Sequence, residues 1–587
     1  MDFIQDRRII LFLSLYSLFP AVYCATSDDM IIRRQQERII QQEKHQQRLQ
    51  QQNLPQRDVK PIFMQNEHSH TDTGLVLNES PCFVIDDIVL VDENGDTNHN
   101  VTKFDFALKS AKAQSKFIKG MCLGEKSISR IVDLTQNNII SKGFTTTQVG
   151  LMPQDLSSGR LQITVIAGMV GEIKYSHRHL LDFNNEIPLK SGDIFNLRKL
   201  ETGLENLQRI PTVDVDMKIA PSDIANASDI IINYRKKFPL RASFNFDDSG
   251  SESTGKYQAS SSISWDNPLG LSDLFYASYN RGLGKKDKFI DYNNQATKSS
   301  SANWGVHYSF PIYSWNIGVN HSFYRYHQAV AGFAENYDYN GESSNTDFSL
   351  SKNLYRDGRR KTDASIKLWQ RKSKNFVDDA EIEVQRKSTA GLGFEIRHRE
   401  YISNAIINLG LSYKRGLGIL GSKRPPEEAF GEGTSRMKII NADISAYIPF
   451  NIKNQAFAFD TSLHSQINKT PLLTNDKISI GGRNTVRGFD GETTLTAEKG
   501  FYWQNNLSYS YLPKHQIYIG YDYGYVSGES KKYLLGDELS GAVIGLKGNI
   551  KIGGQLYYDL FAGKPISKPN NYPTRKTALG FNLNYNF

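Results

Sequence analysis

The side chains best placed to do chemistry in this chain are a loop cation and a carboxylate that follows it. Arg487 stands in the tetrapeptide Val486-Arg487-Gly488-Phe489, inside a Gly- and Thr-rich segment, 466–500, that separates two strand-like runs. A connection of that length in a compact protein is often functional. Beyond it, Ile517, Ile519, Tyr521, Tyr523 and Tyr525 alternate with Tyr518, Gly520, Asp522 and Gly524. Period-2 alternation puts the two sets on opposite faces of a strand, so an outward apolar face turns Asp522 inward. The chemistry on offer is ion pairing. A guanidinium fork meets a carboxylate through two parallel N–H···O bonds. Gly488 permits close backbone approach, and Phe489 can pack against a wall. Such a pair either holds a working loop in place or does no more than stabilise the fold.

Other reactive residue types form no catalytic pattern. His307, His321, His327 and His464 fall on strand-like runs, without Ser/His/Asp spacing or a metal-ligand cluster. Asp378, Asp379, Glu381 and Glu383 read as a solvated loop and a polar inner face, with a cation site as the alternative. Nothing resembles a phosphate-binding P-loop. The expectation is a protein that is not an enzyme, with no catalytic residue, no metal and no cofactor. Arg7 and Arg8 precede the apolar run Ile9 to Phe19, the pattern of a secretion signal cleaved near Cys24 or Ala25. Bulky Tyr23 argues against a lipidated Cys24. Removal of the signal leaves Cys82 and Cys122, which in an exported chain suggest a disulfide, against the alternative of two buried thiols.

The elements that must position these groups follow from composition. The 587 residues include 31 Phe, 30 Tyr and 45 Gly, yet mean hydropathy is −0.48. No mature segment approaches the ~18 consecutive apolar residues of a spanning helix. Rich aromatics with low hydropathy fit strands that meet lipid on one face only; a soluble β-protein is the alternative. The net charge of +8 is modest, without a basic stripe or recognition motif for nucleic acid. From about 240 to 587 we read about sixteen strand-like runs joined alternately by short and long connections, the pattern of a transmembrane β-barrel. Short turns fall at 267–272, 311–314 and 449–454; long connections fall at 284–298, 328–343, 416–435 and 466–500. Ile440, Ala442, Ile444, Ala446 and Ile448 interleave with Asn441, Asp443 and Ser445, which implies a wet bore.

Ahead of the barrel lie two small α/β units, 81–167 and 168–239. The first carries a strand over Phe83 to Val91, a helix over Ser127 to Lys142 ended by Gly143, and a strand at Leu161, Ile163 and Val165. The second carries a helix capped by Asn196, with Leu197, Leu200, Leu204 and Leu207 on one face. Residues 53–80, with Pro55 and Pro61, read as a linker. Residues 26–52 are almost wholly polar, with one thin stripe of Ile32, Ile39 and Ile40. That stripe cannot anchor a core. The segment is either a solvated Gln-rich tail or a detachable helix that fills a polar cavity.

Taken in order, these residues resemble the outer-membrane transporters of two-partner secretion, the TpsB family of the Omp85 superfamily. That family includes haemolysin activators, the filamentous-haemagglutinin transporter and transporters of contact-dependent inhibition toxins. Pro81-Cys82-Phe83, Gly120-Met121-Cys122-Leu123-Gly124, Gly143-Phe144 and Gln154-Asp155-Leu156 resemble its first POTRA module. Asp247-Asp248-Ser249-Gly250-Ser251 and Asp266-Asn267-Pro268-Leu269-Gly270-Leu271 resemble its first barrel hairpin. Val486-Arg487-Gly488-Phe489 matches the superfamily's loop-six motif, and terminal Phe587 fits the signal read by the barrel-assembly machinery. One departure is Gly520, where the receiving strand often has an aromatic two positions before the aspartate.

The resemblance implies a signal peptide over 1–25, a plug helix over 26–52, a linker, two periplasmic POTRA modules and a barrel of about sixteen antiparallel strands. It implies secretion of a large partner exoprotein (toxin, haemolysin or adhesin) across a Gram-negative outer membrane without ATP. The POTRA modules would bind the client, with outer-membrane lipid around a monomeric barrel and no nucleic acid as partner. An Omp85 assembly factor and a passive porin are the competing readings.

Overall fold

The computed structural model describes residues 40–41, 43–44, 75, 79–176, 185–284, 288–290, 296–331 and 336–587. The expected signal peptide, most of the expected plug helix and most of the linker lie outside them.

The first unit places three strands in one sheet and two in a separate pair. β1 (Cys82–Ile85) is antiparallel to β3 (Met121–Gly124), whereas β2 (Asp87–Val91) runs parallel to β5 (Arg160–Ile166), whose other edge takes β4 (Gln148–Gly150). The single strand expected over Phe83 to Val91 is therefore two. The backbone N–H of Asp86 is bound by the carbonyl of Gly159 at 2.7 Å, and the chain bends there into a second sheet. A short helix, α1 (His99–Thr102), precedes α2 (Asp105–Ser115) and α3 (Glu125–Ser141), which cover the three-stranded sheet. α2 escapes sequence reading because its buried face is built largely of alanines, Ala107 and Ala111 beside Leu108, which leave a shallow apolar stripe. Phe104 and Phe144 meet edge to face at 5.1 Å in the core below. Cys82 and Cys122 sit diagonally across β1 and β3, joined as a disulfide with Cα atoms 5.4 Å apart.

The second unit repeats the plan. β6 (Met169–Tyr175) runs parallel to β8 (Ala227–Lys236), with β7 (Val213–Pro221) antiparallel on the other edge. α4 (Leu197–Gln208) starts where the Asn196 side chain accepts from the N–H groups of Arg198 and Lys199, satisfying two orphan donors. Its leucines at 197, 200, 204 and 207 fall on one face and are buried against the sheet.

Sixteen antiparallel strands then close into a barrel. They are β9 (Leu240–Asp247), β10 (Gln258–Asp266), β11 (Leu274–Gly282), β12 (Ser300–Ile312), β13 (Trp315–Ala331), β14 (Asn336–Arg356), β15 (Arg360–Val377) and β16 (Lys387–Ile402), followed by β17 (Ala405–Leu417), β18 (Lys438–Ile452), β19 (Gln455–Asn468), β20 (Lys499–Leu512), β21 (His515–Ser527), β22 (Glu538–Ile552), β23 (Gly554–Ser567) and β24 (Ala578–Asn586). Closure matters because an open edge in lipid strands unpaired N–H and C=O groups, each costing several kcal/mol. β24 meets β9 over only five pairs, Asn582↔Asp247 to Asn586↔Ser243. β13 and β14, in contrast, pair over the whole 17-residue length of β13.

Two connections differ from expectation. Pro449 lies within β18, and the turn is only Lys453-Asn454, both at positive φ as a two-residue hairpin turn requires. The long loop expected over 328–343 is mostly ladder, with pairing out to Ala331↔Asn336. Its polar composition hid strands that protrude beyond the membrane band, where no face must be apolar.

Candidate functional site

The alternation read in β21 is realised. Ile517, Ile519 and Tyr521 are exposed on the outer face, while Tyr518, Asp522 and Gly524 are buried inside. Asp522 is 0 % exposed and lies beneath the 466–500 segment. Arg487 grips it with both arms: Nε donates to Oδ2 and Nη2 to Oδ1, each at 2.7 Å. The Arg487 backbone N–H adds a third bond to Oδ2 at 2.9 Å. Arg487 Nη1 donates to Asn506 Oδ1 at 2.7 Å, and Nη2 reaches the Asn505 carbonyl at 3.2 Å. The guanidinium is thus close to fully satisfied in a water-poor setting, which is what a buried charge requires. Loss of one partner of such a pair costs about 3–5 kcal/mol, because the other charge stays buried and alone.

The departure at Gly520 has a cause in this geometry. A Cβ there would stand 2.5 Å from the Asn505 carbonyl and 2.8 Å from Asn506 Oδ1. Asn506, which accepts from Arg487, occupies the space an aromatic ring would need.

Three glycines bring the loop backbone onto the wall. Gly488 has φ +105, and a Cβ there would lie 2.6 Å from the Lys564 carbonyl. A Cβ on Gly541 of β22 would lie 1.9 Å from the Arg487 carbonyl, and one on Gly563 of β23 would lie 2.8 Å from Gly488. Gly541 and Gly563 were missed in the sequence; glycine inside a strand was the available signal, since it marks close approach of another backbone. On the other side of Arg487, Val486 and Phe489 are buried in a small core with Ile480, Leu495, Val526 and Tyr572. The Phe489 and Tyr572 rings meet edge to face at 5.8 Å. The hairpin of Ile478–Ile480 with Leu495–Ala497 gives the loop its own two-stranded frame.

Further ties hold the loop at both ends. Asp476 lies between Lys414, at 3.3 Å, and Arg371, at 3.7 Å. Lys477 Nζ lies 3.1 Å from Glu498 and donates to Ser530 Oγ at 2.7 Å. Arg483 Nη1 donates to Asp248 at 3.0 Å and Nη2 to the Phe581 carbonyl at 3.2 Å. None of these partners is signalled locally in the sequence; each is brought close by barrel closure.

The described residues of the 26–52 segment (Ile40, Gln41, Glu43 and Lys44) are helical and lie between the loop and the wall. Asn345 donates to Glu43 at 2.9 Å, and Lys44 donates to the Lys477 carbonyl at 2.7 Å. Below the loop is a lumenal cavity of about 840 Å³ whose walls carry Lys361, Asp363, Glu395, Arg397, Arg399 and Asp559.

The four histidines singled out in the sequence do not gather on one another, although His464 lines the lumenal cavity. His307 bonds Asn320 and Ser309, His321 bonds Thr346, and His464 lies 2.6 Å from Asp443. Among the described residues no three His, Cys, Asp or Glu side chains converge on a metal position. Asp378 and Asp379 form a turn between β15 and β16, and Glu381 pairs with Arg386. Phe587 is exposed at the barrel's end, its N–H bound to the Ala242 carbonyl at 3.0 Å and its ring 5.9 Å from Phe244.

At the base, the second unit is docked on the barrel's short turns. Asn185 donates to the Leu271 carbonyl at 2.9 Å, and Arg209 donates to Ser309 at 2.6 Å and Asn316 at 2.9 Å. Burial pulls Arg209 down to about 10, with nearby Asp273 opposing, so it stays charged at neutral pH.

Comparison with known proteins places this architecture. Residues 226–548 match the family described as haemolysin secretion/activation protein ShlB/FhaC/HecB. Residues 100–168 match a ShlB-type POTRA domain, and residues 171–221 match a POTRA domain. The chain is 33% identical over 523 residues to the outer membrane transporter CdiB-2 of Burkholderia pseudomallei, covering 87% of each. It is 23% identical over 411 residues to the hemolysin transporter protein HpmB of Proteus mirabilis, covering 69% of this chain and 71% of that one. The solved structure of CdiB from Acinetobacter baumannii superposes with a TM-score of 0.81 at 28% identity, covering 94% of this chain and 98% of that one. With two POTRA domains followed by the barrel in the family's order, the chain belongs to the ShlB/FhaC/HecB family and is an outer-membrane transporter of two-partner secretion.

Proposed function

We propose that this transporter exports one large toxin or adhesin through a bore that rests closed and opens when the polar plug leaves it. The observation that carries this reading is the filling itself. The loop and the plug residues Glu43 and Lys44 are joined to the wall and to each other through Asn345, Lys477, Asp476 and Asp522, beside a charged cavity of about 840 Å³. Glu43 and Lys44 are tied by single hydrogen bonds that water or a passing backbone can replace, whereas the buried Arg487–Asp522 pair is costly to part.

The client, unfolded, binds first by strand addition to an exposed POTRA edge such as β7 of the second domain, where backbone hydrogen bonds supply affinity. It then traverses the barrel and folds outside, and that folding drives transport without ATP. Residues 26–52 act as the detachable plug. The Arg487–Asp522 pair keeps the long loop seated while the plug leaves. Phe587 serves the barrel-assembly machinery during biogenesis, and the closed barrel works as a monomer. Deletion of residues 27–46 should raise single-channel conductance in planar bilayers; unchanged conductance removes the plug. Arg487→Ala should abolish client secretion at normal barrel levels; normal secretion would leave the pair a purely stabilising role.

A further inference from the structure

The outer wall of a membrane barrel is apolar at lipid depth, and charges there are costly. Toward the interface that cost fades, and there, at the end of the barrel away from the POTRA domains, β17, β18 and β19 carry cations on the outer face. Lys414, Ile439 and Gln466 point inward, where Lys414 and Gln466 contact Asp476 and Ile439 is buried. Period 2 therefore turns Arg415, Lys438 and Lys469 outward. Arg415 stands directly opposite Lys438, and the Lys469 N–H donates to the Lys438 carbonyl at 2.9 Å on the other side. Three cations thus form an unbroken row over three adjacent strands. Exposed Leu411, Ile444 and Ile467 lie just below it, on the side of the membrane centre.

Like charges directly opposite each other destabilise a sheet. Elsewhere on the outer wall the chain avoids this: Arg325 faces Glu342, which faces Lys374, so a carboxylate separates the two cations. No side chain among the described residues forms an ion pair with Arg415, Lys438 or Lys469. The row has the depth and the chemistry of a site whose counter-charge comes from the membrane. In the outer leaflet of an outer membrane that charge is the phosphorylated glucosamine headgroup of lipid A, whose acyl chains would cover the apolar wall below. We propose that Arg415, Lys438 and Lys469 form a binding site for one lipid A molecule, held through its phosphates by charge-assisted hydrogen bonds.

The test titrates the full-length protein in detergent with lipid A, with dephosphorylated lipid A and with phosphatidylglycerol, read by native mass spectrometry. The wild-type protein should hold lipid A, and lose it to about the level of the dephosphorylated form when R415Q, K438Q and K469Q are combined. Three surface cations make that on the order of a hundredfold in apparent Kd. Lys372 lies two residues before Lys374 on the same face of β15, opposite Ser344. The matched variant R325Q/K372Q/K374Q therefore removes the same charge and should bind lipid A like wild type. Equal affinity for lipid A in both triple variants overturns the proposal. Equal wild-type affinity for the dephosphorylated lipid, or for phosphatidylglycerol, overturns it too, and needs no variant to fold. Heat-modifiable migration on gels verifies that each variant barrel is closed.

Discussion

The long loop holds the barrel at two places with two arginines four positions apart in sequence, and the holds differ in kind. Arg487 meets a fully buried carboxylate with both arms, backed by a backbone N–H and Asn506, on wall strands that pair over most of their length. Arg483 makes one bond to Asp248 and one to a main-chain carbonyl, and spans the seam where β24 meets β9 over five pairs. Its guanidinium also lies over the Phe561 ring at 5.2 Å. One grip is an anchor sunk in a continuous wall; the other is a clasp across the weakest join. Burial and partner number decide which is costly to release. The Arg487 and Asp522 side chains are 11 % and 0 % exposed against 21 % and 5 % for Arg483 and Asp248. Asp248 keeps the Phe581 N–H and Lys256 as further partners, whereas a desolvated charge left alone has no water to fall back on.

The largest effect should come from Asp522→Ala, which strands Arg487 in the wall. We expect a loss of about 3–5 kcal/mol at the loop, read as new protease cleavage within 466–500 and loss of client secretion. Protection equal to wild type would make the two grips equivalent. Gly541→Val should come next, because its side chain must displace the Arg487 carbonyl that a Cβ would approach to 1.9 Å. It should reproduce the protease sensitivity with Asp522 intact; overpacking of this kind costs about 1–3 kcal/mol. Arg487→Lys keeps the charge but gives up the fork, and should be milder than Asp522→Ala in the same assay. Arg483→Ala should be the smallest, because Asp248 keeps the Phe581 N–H at 2.9 Å and Lys256 at 3.7 Å as partners. Its signature is local: faster amide exchange in β24 and β9, with β20 and β21 unchanged. Faster exchange in all four strands would erase the distinction between anchor and clasp.

The barrel was legible because lipid imposes alternation on one face of every strand, as in Ile517 to Tyr525. The same rule exposed Asp522, the one carboxylate on the inner face of that run, and the loop's only nearby motif supplied Arg487. Where lipid imposes nothing, reading failed: the ribbon of β13 and β14 beyond the membrane looked like a loop, and α2 hid behind its alanines. For another reason, Asn506 gave no sign, and Asp248, though inside the motif at 247–251, gave none of its partner. Their contacts with the loop depend on strand register and closure, which no local stretch encodes.

The docking of the second POTRA domain has one further consequence. Glu205 pairs with Arg356 and Lys361 at one periplasmic turn, Arg209 reaches Ser309 and Asn316 at a second, and Thr212 donates to Asp266 at 2.8 Å beside a third. A domain bolted to three successive hairpins is set to move with β10 through β15 as one piece, so under the proposed transport a pull on its free edge would reach the same arc that holds Glu43 from within.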